Sequence, residues 1–383
     1  MSNRIAIITD KIYPFFTGGY EIRLFEIARL LSDDFQIEVF SCYKGDIRNI
    51  KINKISPTIS KKKTGKRNLF QTMIFSLFLL KNPLKKGEFD YILIESIPYF
   101  HLLSIRKWIK KEKGLKILDA PEIWYFYPYL KIPVLKNISI YLYRKILNKS
   151  LDLFDYILVM SSASKNTLIN YYRVKEEKII LIPNGFFNSN YKLNQEKKFY
   201  DFVYINRLTK IKRPMDIIYA AYRLKKDYGW NGKIAMVGDG ELLKKIRGKI
   251  KELNLDNNIN VFGYLNEEEK IEILKKSKVF ILSSEREGFS ISCLEAISFG
   301  LPLIASKPKY DELFGHRDLI IENYNGLTYP AGNIEELKNK MWEMLNIPDE
   351  KYIEFSKNSS ELSKNFKWEK IIYELKSLLE VKL

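Results

Sequence analysis

Cysteine and histidine are almost missing from this 383-residue chain, which has two of each: Cys42, Cys293, His101 and His316. Two distant cysteines cannot build a disulfide framework, so the fold must rest on its apolar core, and a reducing, cytoplasmic compartment is expected. No spacing of cysteine with histidine suits zinc, so neither a metal nor a resident cofactor is expected. Long apolar runs are absent too. A spanning helix needs about 18 consecutive apolar residues, and the opening MSNRIAIITD is too short and too quickly interrupted for a signal peptide. The dinucleotide pattern G-x-G-x-x-G does not occur. Acidic residues are in deficit: 46 Asp and Glu face 64 Lys and Arg, a formal charge of +18. That excess calls for an anionic partner. No helix-turn-helix, RNP-type aromatic motif or zinc-finger spacing accompanies it, so nucleic acid is not expected.

What the chain does have is alternation. Short apolar runs such as RIAIITD (4–10), QIEVFS (36–41), YILIES (91–96), KILDA (116–120), YILVMS (156–161) and IILIP (179–183) alternate with amphipathic segments. This is the pattern of doubly wound α/β domains. In EIRLFEIARLL (21–31) the apolar positions Ile22, Phe25 and Ala28 fall at helical spacing. A polar, turn-prone stretch at 186–199 reads as a linker. A second series then begins: DFVYIN (201–206), KIAMVG (233–238), INVFGY (259–264), KVFILS (278–283) and LPLIAS (301–306), with a clear amphipathic helix at 241–253. The length exceeds what one core usually serves. Two Rossmann-like domains, 1–185 and 200–383, are therefore expected to face each other across a cleft, with the last helix packing back on the first domain. Ligands of such sheets bind beyond the carboxyl ends of strands.

One stretch stands just there. In EGFSISCLE (287–295), Glu287 lies in a turn after a strand, and Glu295 sits on an otherwise apolar segment that Ser290 is placed to cap as a helix. Glu295 lies five residues past that cap, roughly 7–8 Å up the axis at 1.5 Å per residue. A helix start offers free N–H groups to phosphate or sugar oxygens. Carboxylates repel phosphate but accept hydrogen bonds from sugar hydroxyls, so the pair suits sugars flanking a diphosphate. The competing reading is a solvated turn glutamate and a glutamate paired with lysine.

The segment EGFSISCLEAISFGLPLIAS resembles the E-x7-E signature of retaining glycosyltransferases of family 4, which have the GT-B fold. TGGYE (17–21), IPNG (182–185), NRLTKIKRP (206–214), VGDGEL (237–242), VFGYL (261–265) and NGLTYPAGN (325–333) resemble further family segments in the same order. The resemblance implies a nucleoside diphosphate sugar as donor and a glycan or lipid-linked acceptor. It implies that Glu295 meets the ribose, Glu287 the transferred sugar, and the amides of Gly288, Phe289 and Ser290 the sugar or diphosphate. Arg207 and Lys212 would hold the departing diphosphate, where two fixed cations stabilise developing charge. Gly18 and Gly19 would let backbone approach the donor closely. Where many members carry histidine, this chain has LDAPE (118–122), so Asp119 stands in the catalytic position. Gly238 and Gly240 suit a tight strand-to-helix turn.

Two rivals remain: a nucleotide-sugar epimerase on the same fold, and a non-catalytic basic module binding membrane or nucleic acid. The segment 61–86 bears on the second. Five basic residues, Lys61, Lys62, Lys63, Lys66 and Arg67, precede an apolar stretch and three more lysines. It suits either an anionic membrane surface or a core helix behind a solvated loop.

Overall fold

The computed structural model describes residues 3–16, 18–58, 69–84, 89–97, 99–125, 133–186 and 198–381. The chain divides into two compact units, one holding residues up to Asn184 together with those from Ile371, the other Gly185–Lys370.

The first unit runs β1 (Arg4–Ile8), α1 (Gly19–Leu31), β2 (Gln36–Ser41), β3 (Gly45–Ile47), β4 (Ile50–Lys54), α2 (Leu69–Phe78), β5 (Tyr91–Glu95) and α3 (Phe100–Ile105). It continues with β6 (Leu115–Asp119), α4 (Pro133–Leu151), β7 (Tyr156–Val159), α5 (Ser162–Tyr172) and β8 (Ile179–Leu181). Its sheet has the order β3-β4-β2-β1-β5-β6-β7-β8, parallel except for the β3–β4 pair. Strands buried on both faces read as unbroken apolar runs, and Ile5 to Ile8 and Tyr91 to Ile94 are all inside. The short β3 and β4 carry polar residues such as Asp46, Lys51 and Lys54, and their alternation is too brief to announce them.

In α1 the expected stripe is rotated. Ile22 is exposed, while Leu24, Ile27, Ala28 and Leu31 are buried. The i, i+3, i+4, i+7 set beginning at Leu24 is complete, whereas Ile22 heads a partial one.

The second unit runs β9 (Tyr200–Ile205), α6 (Pro214–Tyr228), β10 (Ile234–Val237), α7 (Leu243–Glu252), β11 (Ile259–Gly263), α8 (Glu267–Lys275), β12 (Ser277–Leu282), α9 (Ile291–Ser298), β13 (Leu303–Lys307), β14 (Gly326–Pro330), α10 (Ile334–Leu345) and α11 (Asp349–Ser363). Helix α12 (Trp368–Val381) begins in this unit and belongs to the first from Ile371 onward, where the Tyr91 hydroxyl donates to the Leu379 carbonyl at 2.7 Å. The second sheet is parallel throughout, in the order β11-β10-β9-β12-β13-β14. Renumbered from its own first strand, that is 3-2-1-4-5-6, the order of dinucleotide-binding sheets, whose ligands sit where the winding reverses. Here it reverses between β9 and β12. In the first unit it reverses between β1 and β5.

Candidate active site

In the second unit the loops after β9 and β12 flank the reversal point. The β9 loop is shaped by the GDG turn beside it. Gly238 and Gly240 adopt φ of 138° and 154°, and a Cβ at either would collide with the carbonyl of Asn206 or Leu208. The loop is closed by bonds from Leu208 N–H to the Asp239 carbonyl and from Leu242 N–H to the Leu208 carbonyl. Further on, the Ser283 hydroxyl donates to the carbonyls of Lys212 and Arg213 at 2.9 and 3.0 Å, and Glu285 N–H donates to the Ile211 carbonyl at 2.8 Å. The two loops are thus stitched together, and this brings Lys212 onto Glu287.

The Lys212 ammonium donates to both oxygens of Glu287 at 2.6 Å. Ser284 adds a 2.6 Å bond to Oε1, and Asn206 a long one at 3.4 Å. Burial alone would raise the Glu287 carboxyl, but Lys212 and Ser284 outweigh it and hold it below the usual carboxylate range. Arg207 stands apart: its side chain is exposed and pairs with no carboxylate among the described residues. The cations expected to act as a pair therefore differ, one being committed to Glu287 and one open to a ligand.

Helix α9 starts where expected, with Ser290 as cap and its hydroxyl oxygen accepting from Cys293 N–H at 3.3 Å. The amides of Gly288, Phe289 and Ser290 are committed to no carbonyl among the described residues. Glu295, one turn into the helix, pairs with Lys270 on α8: Oε1 accepts at 2.7 Å, and the side chain keeps 23% exposure. Burial pushes its carboxyl up, with Lys270 pulling against it. Both thiols are inert here, since burial raises Cys42 and Cys293 to about 12.

A third segment completes the site without having been anticipated. Glu287 N–H donates to the Leu313 carbonyl at 3.1 Å, and Gly315 N–H donates to the Glu287 carbonyl at 2.9 Å. A side chain at 315 would strike the Gly288 carbonyl, which accounts for the glycine. The next residue, His316, is fully buried: Nε2 meets the Ser306 carbonyl at 2.8 Å, and Nδ1 has no partner among the described residues. Burial depresses it from 6.5 to about 4, so the ring is neutral at neutral pH.

In the first unit, Gly18 caps α1 and is half-buried, with Gly19 exposed beside it. Asp119 ends β6 opposite Glu95 of β5. It is not an open carboxylate. Both oxygens accept from Arg23 Nη1 at 2.9 and 2.8 Å, the Tyr20 hydroxyl donates to Oδ2 at 2.7 Å, and neither side chain of the Arg23–Asp119 pair has any exposure. Arg23 Nη2 also donates to the Ile182 carbonyl at 2.8 Å. The Asp119 expected at the catalytic position is thus held inside the protein by Arg23 and Tyr20. Tyr20 is held far above the ordinary phenol range by burial, then by Asp119 and Glu95, so it stays protonated. Arg23 was detectable by the reasoning that marks Glu295, a charge on an apolar helix face. Nothing local in the sequence marks Lys270 or His316.

Residues 17–186 match the model described as Glycosyltransferase Family 4, and residues 187–362 the model described as Glycosyl transferases group 1. The chain belongs to the family-4-type glycosyltransferases. An uncharacterized glycosyltransferase of Methanocaldococcus jannaschii is 24% identical over 387 residues, covering 98% of each chain. The UDP-Gal:alpha-D-GlcNAc-diphosphoundecaprenol alpha-1,3-galactosyltransferase of Escherichia coli is 23% identical, covering 93% of this chain and 91% of its own. Among solved structures, Anabaena HepE in complex with UDP-glucose superposes with a TM-score of 0.70 at 17% identity, over 99% of both chains. That likeness fixes the fold as GT-B. For this glycosyltransferase, TGGYE and EGFSISCLE thus fall in different family models, the first in the N-terminal one and the second in the C-terminal one.

Proposed function

We propose that the protein transfers a sugar, with retention of anomeric configuration, from a nucleoside diphosphate sugar to a glycan or lipid-linked acceptor. The observation that supports this most is the gathering of Arg207, Lys212, Glu287 and the uncommitted amides 288–290 at the reversal point of a 3-2-1-4-5-6 sheet. The diphosphate lies against Arg207 and those amides. Its arrival gives Lys212 a second anion, so that Lys212 bridges Glu287 and the leaving group, while Glu287 turns an oxygen toward sugar hydroxyls. As the glycosidic bond breaks, charge grows on the diphosphate and the cations stabilise it, the work a divalent ion would otherwise do. The leaving phosphate takes the acceptor proton on the same face. Glu295 meets the ribose with Oε2, the oxygen Lys270 leaves uncommitted.

The test is Glu295→Ala against a panel of nucleotides by calorimetry. Loss of charge-assisted hydrogen bonds should weaken binding by about 10- to 150-fold, or roughly 1.5–3 kcal/mol. A folded variant with unchanged affinity for both UDP and GDP would remove Glu295 from the donor site. Donor turnover in the absence of acceptor, giving an isomeric nucleotide sugar, would favour the epimerase. Wild-type protein without nucleotide preference would favour the binding module.

A further inference from the structure

No helix among the described residues is long and apolar enough to cross a membrane. Yet the first unit carries apolar side chains on its surface in a regular arrangement. On α2, Phe70, Met73 and Leu77 are exposed by 61%, 50% and 60%, at i, i+3 and i+7. On α3, Phe100 and Leu103 repeat the pattern at i and i+3, each more than 40% exposed. The opposite sides of the two helices are core. Phe75 and Leu79 are fully buried, and Phe75 packs edge-on against His101 of α3 at 6.1 Å. The two helices are therefore fixed relative to each other, and on α2 the buried side holds Gln71, Thr72 and Ser76 beside Phe75 while the outward stripe is apolar.

Cations collect where the helices end. The Trp108 indole N–H donates to the Leu79 carbonyl at 2.8 Å, and Asn82 donates to Glu112 at 2.6 Å, so the turn after α2 lies against the turn after α3. On those turns Lys81, Lys107, Lys110, Lys111 and Lys113 are exposed, while the carboxylate of Glu112 is buried. Helices α2 and α3 themselves contain no acidic residue.

We infer that the α2–α3 face, with the lysines of 81 and 107–113, docks on an anionic bilayer surface. Apolar stripes of this kind have no hydrogen-bonding groups to offer a polar partner, but they suit acyl chains just below the headgroups, and the adjoining lysines suit anionic headgroups. A chain of formal charge +18 adds long-range attraction toward such a surface. The inference rests on the proposed lipid-linked acceptor and joins to the described part of 61–86 a contact by α3 and the lysines of 107–113. Residues 61–68 and 85–86 of that segment lie outside the described residues.

The test is co-sedimentation with vesicles of phosphatidylcholine and phosphatidylglycerol, 3:1, and of phosphatidylcholine alone, on wild type and two variants. One variant combines Phe70→Ser, Met73→Ser and Leu77→Ser. The other replaces Lys107, Lys110, Lys111 and Lys113 with Gln. Wild type should partition to the anionic vesicles and much less to the neutral ones, and each variant should lose about tenfold or more in partitioning. UDP and GDP affinity, measured by calorimetry, and melting temperature should hold in both variants, since the changed residues lie on the surface of the first unit. Wild type that ignores anionic vesicles overturns the inference, as do variants that sediment like wild type. A self-associating wild type whose dimer is lost in the serine variant would assign the face to a second copy and overturn it as well. Vesicle binding without any nucleotide binding would instead overturn the glycosyl-transfer reading and leave this one standing.

Discussion

The two sheets reverse their winding in the same way, but the charged groups at the two reversal points are used differently. In the first unit Thr9 bonds Glu95 across β1 and β5, and Asp119 is locked to Arg23 with no exposure on either side. In the second, Lys212 and Glu287 retain some exposure, Glu295 retains more, and Arg207 is open. A shared topology supplies a place where strand ends diverge. Whether the polar groups there brace the fold or await a ligand depends on how completely they satisfy one another.

The sharpest way to break this contrast is Arg23→Ala. Removing one member of a fully buried ion pair leaves the other charged and desolvated, and should destabilise the protein by about 3–5 kcal/mol in chemical denaturation. If the Arg23 site is a brace, nucleotide affinity measured under native conditions should stay within about twofold, because the change lies in the other unit. A fall in affinity with stability intact would place Arg23 in the ligand site instead.

His316 tests whether the second site also has a closed floor. Its folded-state value of about 4 lies below its ordinary 6.5. The unfolded chain therefore takes up a proton first as pH falls. The stability that neutral His316 contributes is complete above 6.5 and lost between 6.5 and about 4, by about 3 kcal/mol. His316→Asn should flatten that part of the stability–pH curve, as followed by denaturant midpoints between pH 7 and 4. An unchanged curve would mean that the ring is solvated.

A smaller effect separates the two cations. Lys212→Ala and Arg207→Ala should each lower turnover by on the order of 100-fold, more than they weaken ground-state binding, because their contacts strengthen as charge develops. Only Lys212→Ala should also lower the melting temperature, since it alone strands a buried carboxylate. Equal stability in the two variants would show that Glu287 has other support. A rise in KM alone would show binding without transition-state preference.

The parts of this protein that were legible in its sequence are those with local causes. Apolar runs marked most of the strands, Ser290 marked the start of α9, Glu287 stood out by its turn after a strand, and Glu295 as a charge on an apolar segment. What was not legible depends on residues distant in sequence. Lys212 reaches Glu287 only because Ser283 and Glu285 bind the β9 loop, and Lys270 reaches Glu295 from another helix. The clamp formed by 313–316 on the Glu287 backbone has no side-chain signature except Gly315, whose reason is steric and visible only in three dimensions. The exposed stripe of α2 was hidden for a different reason. Its polar residues Gln71, Thr72 and Ser76 are buried while Phe70, Met73 and Leu77 are exposed, so reading hydropathy as burial turns the wrong face inward.

The Arg23–Asp119 pair also constrains how this protein can change over time. Position 119 cannot be altered alone: a residue without a carboxylate there would leave the buried guanidinium without its anion, and losing the arginine first would strand the aspartate. Each single step passes through a poorly folded intermediate, whereas the double change does not, so the two positions behave as one heritable unit. An exchange of this site between two such enzymes would have to carry α1 and the end of β6 together.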